Sequence, residues 1–201
     1  MYIEAIILGF IIGFARNGRL VNFFEVRFKG WALSILAFLL FLIPYSLKLT
    51  GTPFEKLQIF PFISMAICAL IALMNFEKLG MKVILFGILL NLVVMGLNDY
   101  KMPLDVVKME ALGFGSFVES MEVGDVINYV SLEGAHPISE YLGKVIALPK
   151  VYPFTKVLSI GDFIISLGFI LVIQYEMLLS SVKSKGAMVQ FTYNSRSRYR
   201  K

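Results

Sequence analysis

The residues of this sequence best suited to chemistry are carboxylates standing where apolar runs begin or end. Asp162 lies in the stretch LSIGDFIISLG, Leu158 to Gly168, at the mouth of a long hydrophobic run, and Asp99 and Asp105 follow another. Two carboxylates sharing a proton can cleave a peptide, one activating water while the other protonates the departing amine. Asp162 with Asp99 would form such a catalytic pair, with Asp105 as the other acid on the same side. A local role competes with this one. Ser159 stands three residues before Asp162, the spacing of a capping box, in which the serine hydroxyl accepts from the amide of residue 162 and the carboxylate reaches back to the amide of residue 159. The acidic charge also complements the helix dipole, and the cap accounts for both residues without a catalytic partner.

Other chemistries find less support. Cys68 is the single cysteine and sits in the middle of an apolar run, and His136 is the single histidine, far away in sequence. Neither an internal disulfide nor a metal-ligand spacing can be built from them. Phosphate-cradling glycine loops and a nucleophile–base pair are missing, so no cofactor and no metal are implied. Toward the middle of the apolar runs the polar residues are neutral. Asn91 can hydrogen-bond a neighbouring helix for about 1 kcal/mol or line a polar path such as a small-solute carrier needs, while Ser64 and Ser166 can bond to their own backbone. Without an intramembrane charge there is no proton relay, which argues against transport.

The elements that must position these groups are set by composition. Over 201 residues, 58% are hydrophobic and only 16% charged, with a mean hydropathy of +0.77. Soluble domains carry about a quarter charged residues, so this is an integral membrane protein. A bilayer core about 30 Å thick needs roughly 20 helical residues, and five runs qualify: Tyr2 to Ala15, Trp31 to Leu47, Leu57 to Phe76, Val83 to Asn98 and Ile160 to Ser181. The expected fold is an all-α membrane protein of five transmembrane helices with a partly structured extracytoplasmic segment between the fourth and fifth. The first run is short and borrows length from Arg16, snorkelling to the interface. No basic residue precedes it and Arg16-Asn17-Gly18-Arg19 follows it, which fits a retained helix rather than a cleaved signal peptide. Gly9 and Gly13 give that helix a small-xxx-small face, and Trp31, Tyr45 and Tyr175 suit interfacial belts.

Basic residues in short loops mark the cytoplasmic side of a membrane. With the N-terminus outside, Arg16, Arg19, Arg27, Lys29, Lys78, Lys82 and the tail fall inside, whereas Lys101, Lys108, Lys144 and Lys156 fall in a long outer loop, where the rule weighs least. This predicts an inner-membrane protein with its C-terminus in the cytoplasm. Most acidic residues fall outside, so the net +5 is a separation of charge rather than general basicity, which argues against a nucleic-acid partner. The tail Ser195 to Lys201, SRSRYRK, reads as a disordered basic segment touching anionic lipid at about 1 kcal/mol per basic residue near the surface.

The chain therefore divides into a four-helix membrane part, 1–98, an extracytoplasmic segment with short amphipathic helices, 99–158, a last transmembrane helix, 159–182, and a basic cytoplasmic tail, 183–201. In the outer segment Pro103 suits the first turn of a short helix carrying Val106, Val107, Met109 and Leu112, which Gly113-Phe-Gly-Ser116 would end. A segment this long is where function is expected. Asn98, Lys101, His136, Lys144 and Asp162 are its candidate binding residues, forming a contact surface at the helix ends for a membrane-protein partner.

Taken together, Gly18-Arg19-Leu20, Asn98 with Lys101-Met102-Pro103, and Leu142-Gly143-Lys144-Val145-Ile146-Ala147-Leu148-Pro149 running into Ser159-Ile160-Gly161-Asp162 resemble an uncharacterised family of bacterial multi-pass integral membrane proteins. The resemblance covers most of the chain and implies a topology but no activity. Two places depart from the family pattern: Asp99 and Tyr100 stand where glycines are usual, and Lys144 where an acidic residue is common. Around Asp162 the sequence is similar to the start of the last helix in lipoprotein signal peptidase, an intramembrane aspartyl protease. That likeness implies a hydrolase of membrane-anchored peptides as the alternative to an accessory or binding protein.

Overall fold

A computed structural model describes residues 1–48, 57–148 and 156–198, with the side chains of the last helix described as far as Leu179. Pro149 of the outer segment and residues 199–201 of the basic tail lie outside the described residues. In chain order the elements are α1 (Tyr2–Ala15), α2 (Leu20–Phe24), α3 (Trp31–Lys48), α4 (Ile59–Met74), α5 (Leu79–Gly96), β1 (Met102–Leu104), α6 (Val106–Ala111), α7 (Gly115–Glu122), β2 (Tyr129–Ser131), α8 (Ser139–Leu142), β3 (Ile146–Ala147), β4 (Val157–Leu158) and α9 (Ile160–Arg198). The chain is mostly helical. Two helices are long and apolar enough to cross a membrane, Leu79–Gly96 and the Ile160–Leu179 part of α9, while Tyr2–Ala15, Trp31–Leu47 and Ile59–Met74 are shorter apolar helices.

Four expectations need correction. The chain is not purely helical, because strands of two or three residues form in the segment between α5 and α9. Runs that short leave no period-2 signature in a sequence. Pro103 lies in β1 rather than in a first helical turn, since Asp105 caps α6 instead, its carboxylate accepting from the Lys108 amide at 3.0 Å. The basic tail continues α9 to Arg198. Extending a helix costs far less than starting one, and the tail carries Lys, Arg, Met and Gln with no proline to stop it. In the same way α5 starts at Leu79, not Val83, because Lys82 interrupts an apolar count without breaking a helix.

The helices pack in the order α1, α9, α5, α4, α3. Tyr2 meets Asp162 and Gly13 faces Met177, so α1 and α9 run the same way. Residues near 80 of α5 face those near 170 of α9, so these two are antiparallel. Glycines set that contact. A side chain on Gly87 would lie 2.7 Å from the Gly161 carbonyl, and one on Gly168 would lie 3.0 Å from the Gly80 carbonyl. The two pairs recur every seven residues on both helices, the spacing at which a helix returns to nearly the same face. Between α4, α5 and α9 the core holds Ala69, Ala72, Ile84, Ile88, Ile165 and Val172. The Gly9 and Gly13 face of α1 packs on Ile170, Ile173 and Met177, so it is used within the chain.

Polar stitches close the end of the bundle where α9 leaves it. Lys78 pairs with buried Glu176, Arg16 donates to Gln174 at 3.0 Å, and buried Asn75 binds the Lys29 carbonyl and amide, both at 2.9 Å. Ser64 bonds across to the Ala37 carbonyl of α3 at 2.7 Å rather than to its own helix, whereas Ser166 bonds to its own backbone at the Asp162 carbonyl. At the other end the described residues of the segment between α5 and α9, 102–148 and 156–158, fold onto the helix tips. Strand β1 pairs in parallel with β2, and β3 in antiparallel with β4.

Candidate functional site

Ser159 is the cap of α9 that its spacing predicts. Its hydroxyl accepts from the Asp162 amide at 2.9 Å, and the Asp162 carboxylate accepts from the Ser159 amide at 3.3 Å. Asp162 does more than cap. Its Oδ1 also accepts from the Tyr2 hydroxyl at 2.6 Å and from Asn91 Nδ2 at 3.1 Å, and its Oδ2 accepts from Lys144 Nζ at 2.9 Å. An ionised carboxylate offers about four acceptor positions, and here four donors occupy them. The side chain of Asn91 is turned so that its Oδ1 accepts from the Ser159 hydroxyl at 2.8 Å, which fixes the amide between α5 and the α9 cap. Asp162, Asn91 and Ser159 are all buried.

Lys144 reaches this carboxylate because its backbone is sewn to β1. Its amide donates to the Pro103 carbonyl at 2.8 Å and its carbonyl accepts from the Asp105 amide at 3.0 Å. Its ammonium also lies 5.7 Å from the centre of the Tyr129 ring, and that ring packs edge-on against Phe117. Burial works against the charge of Lys144, but Tyr129 and Asp162 facing it outweigh burial and hold its pKa above the ordinary lysine value. Lys156, in turn, bonds to Glu4 of α1 at 2.6 Å.

In front of these groups is a cavity of about 410 Å³. Tyr2, Lys144, Lys156 and Asp162 make its polar wall, and Leu104, Met109, Phe114, Phe117, Tyr129, Val157 and Leu158 its apolar one. A concave apolar chamber with a few convergent polar groups is the ordinary form of a small-molecule site.

The six residues singled out by sequence separate here. Lys144 and Asp162 meet. Asn98 and His136 meet elsewhere: Asn98 Nδ2 donates to Ser139 Oγ at 3.0 Å and to the Val94 carbonyl at 2.6 Å, and Asn98 Oδ1 accepts from the His136 amide at 2.9 Å. The His136 ring itself is exposed, its Nδ1 accepting from the Ile138 amide at 3.4 Å. Lys101 lines a different cavity, of about 330 Å³, with Gln58, Met121 and Glu122. Asp99 occupies a left-handed turn after α5. The end of that helix is about 8 Å beyond Asn91 along its axis, and the partners of Asp162 are Tyr2, Asn91, Lys144 and Ser159 rather than Asp99. The proton-sharing pair expected of an aspartyl hydrolase is not assembled, because an ammonium takes the place of the second carboxylate. Tyr2, Tyr129 and Lys156 went unread in the sequence. Tyr2 looks there like the start of a span, and only its polar tip at the membrane-end position hinted at more.

The sequence model of a family of unknown function, DUF5317, matches residues 25–174, and the chain belongs to that family. No curated protein and no solved structure matches it.

Proposed function

We propose that this member of a family of unknown function is a five-span inner-membrane protein, its N-terminus outside and its C-terminus in the cytoplasm, acting as an accessory or binding protein. The described residues of its outer segment, 99–148 and 156–158, are clamped over the mouth of the bundle and offer the cavity before Lys144 and Asp162 to a ligand or a membrane-protein partner. The observation that carries this reading is the saturation of Asp162 by four donors, one of them an ammonium. Such a carboxylate has no proton to share and no water to activate, whereas it can hold a lid in place and set the polarity of a chamber.

Five spans are supported by helix direction and by surface. Successive apolar helices alternate, and basic residues Arg16, Arg19, Lys29 and Lys78 gather at the Glu176 end. Ile3, Ile7, Ile11, Phe38, Leu70, Leu89 and Leu167 are exposed along the helices, more apolar surface than a protein in water leaves uncovered. Asn91 is buried and bonded through both its amide nitrogen and its oxygen, to Asp162 and Ser159, which speaks against a carrier path beside it.

The test is purification of the tagged chain from its own membrane in mild detergent, with mass spectrometry of bound proteins and lipids, for wild type and Asp162→Asn. The same stoichiometric material on both, weaker on the variant, is expected. A peptide or lipoprotein accumulating only on Asp162→Asn would be a trapped substrate and would overturn this reading in favour of the hydrolase.

A further inference from the structure

Tyr2 belongs to two chambers at once. Its hydroxyl stands in the polar cavity, bonded to Asp162 at 2.6 Å, while its ring lies 6.0 Å from that of Phe169 and borders a second, apolar cleft of about 490 Å³. That cleft runs between α1 and α3 over the core of the bundle, with Ala37, Phe38, Cys68, Ile88 and Ile165 on its walls. Both volumes lie within the roughly 300–1,000 Å³ usual for ligand sites. A helix from a partner would fill the apolar cleft but make no use of the polar chamber, and a small polar solute would do the reverse.

The polar chamber presents donors to an occupant. The acceptors of Asp162 are taken, whereas the Lys144 ammonium has three N–H groups and gives one to that carboxylate. By formal charge, the Met1 amino group, Lys144 and Lys156 stand against two carboxylates, Asp162 on the wall and Glu4, which pairs with both Met1 and Lys156, an excess of one positive charge. We propose that the two chambers together hold one anionic phospholipid of the surrounding bilayer, its phosphate against Lys144 in the polar cavity and an acyl chain past Tyr2 in the cleft lined by Phe38 and Cys68. The assignment rests on the ligand-binding reading above and names its ligand. Tyr2 marks the depth at which head gives way to chain.

The purified full chain, stripped of lipid, is tested by native mass spectrometry with phosphatidylglycerol or phosphatidylcholine, and by the rate at which its only cysteine, Cys68, is alkylated by a maleimide. One phosphatidylglycerol is expected to be retained, about tenfold more tightly than phosphatidylcholine, the worth of one charged contact, and to slow alkylation by a similar factor. Lys144→Gln should abolish the preference between the two lipids. Prior alkylation of Cys68 with a bulky maleimide, which leaves the ion pair intact, should abolish retention of both. Equal retention of the two lipids, or Cys68 reacting at the same rate with and without lipid, overturns the lipid assignment. If native partners or ligands still copurify and are lost in Lys144→Gln, the binding reading stands without the lipid; if Lys144→Gln retains everything the wild type binds, both fall.

Discussion

Truncating Asn91 removes a donor to Asp162 and, at the same time, the acceptor of the Ser159 hydroxyl. Both groups are buried, so Asn91→Ala is expected to cost about 1–3 kcal/mol, read as a lower melting temperature in detergent. Asn91→Asp should be no better, since it sets a second carboxylate beside Asp162. Lys144 makes a prediction with a definite sign. Its folded pKa is raised above the unfolded value, so its contribution is complete below about pH 10.4 and is lost only as the pH climbs through the higher folded value. Melting temperature should stay level around neutrality and fall in strong alkali, and the alkaline fall should shrink in Lys144→Gln. A Lys144-dependent loss already present near neutral pH would contradict the pairing. At this scale the sequence revealed what is local. The Ser159 and Asp162 cap needs only a three-residue spacing. The Lys144 contact needs β1, β3 and β4 to fold the intervening chain back, and the Tyr2 contact spans nearly the whole sequence, so neither leaves a pattern to read.

Helices α5 and α9 approach as closely as their glycines allow. A leucine at Gly87 would drive a Cβ to 2.7 Å from the Gly161 carbonyl, a backbone atom that cannot step aside. Gly87→Leu is expected to destabilise by about 3 kcal/mol, the upper end for overpacking, whereas Gly115→Ala, whose new atom meets nothing within 4 Å, should change stability by less than about 0.5 kcal/mol. Thermal unfolding of the two variants side by side decides it. The turn leaving α5 carries strain of a different kind, with Asp99 at φ 51° and Tyr100 at φ 64°. Glycine would relieve the backbone at either position, but Tyr100→Gly also loses the ring contact with Phe62 at 5.0 Å and is expected to destabilise by about 1 kcal/mol. The seven-residue glycine spacing was present in the sequence. What it could not say is which two helices the glycines join, because every apolar run offers a similar face. The strands were illegible for the opposite reason, being too short to show any period.

Across the whole molecule, two buried ion pairs sit near the ends of the hydrophobic part of α9. Asp162 and Glu176 are fourteen residues apart in the sequence, about 21 Å along a helix axis, with Lys144 and Lys78 as their partners. Both carboxylates lie within the Ile160–Leu179 part of α9, which is long and apolar enough to cross a membrane. Orientation gives a direct outcome: with Cys68→Ser as background, a membrane-impermeant thiol reagent added to sealed cells should label Glu119→Cys and leave Glu25→Cys untouched. The reverse pattern would invert the topology. If Lys144 on Asp162 holds the outer segment over the bundle mouth, a double-mutant cycle reads the strength of that join. Stability is followed for wild type, Lys144→Met, Asp162→Asn and the pair. Removing Lys144 alone strands a buried carboxylate and should cost about 3–5 kcal/mol, while the double variant should recover part of it, leaving a coupling of about 1–3 kcal/mol. Strictly additive losses, with no coupling between the two, would rule out this ion pair as the join that holds the segment.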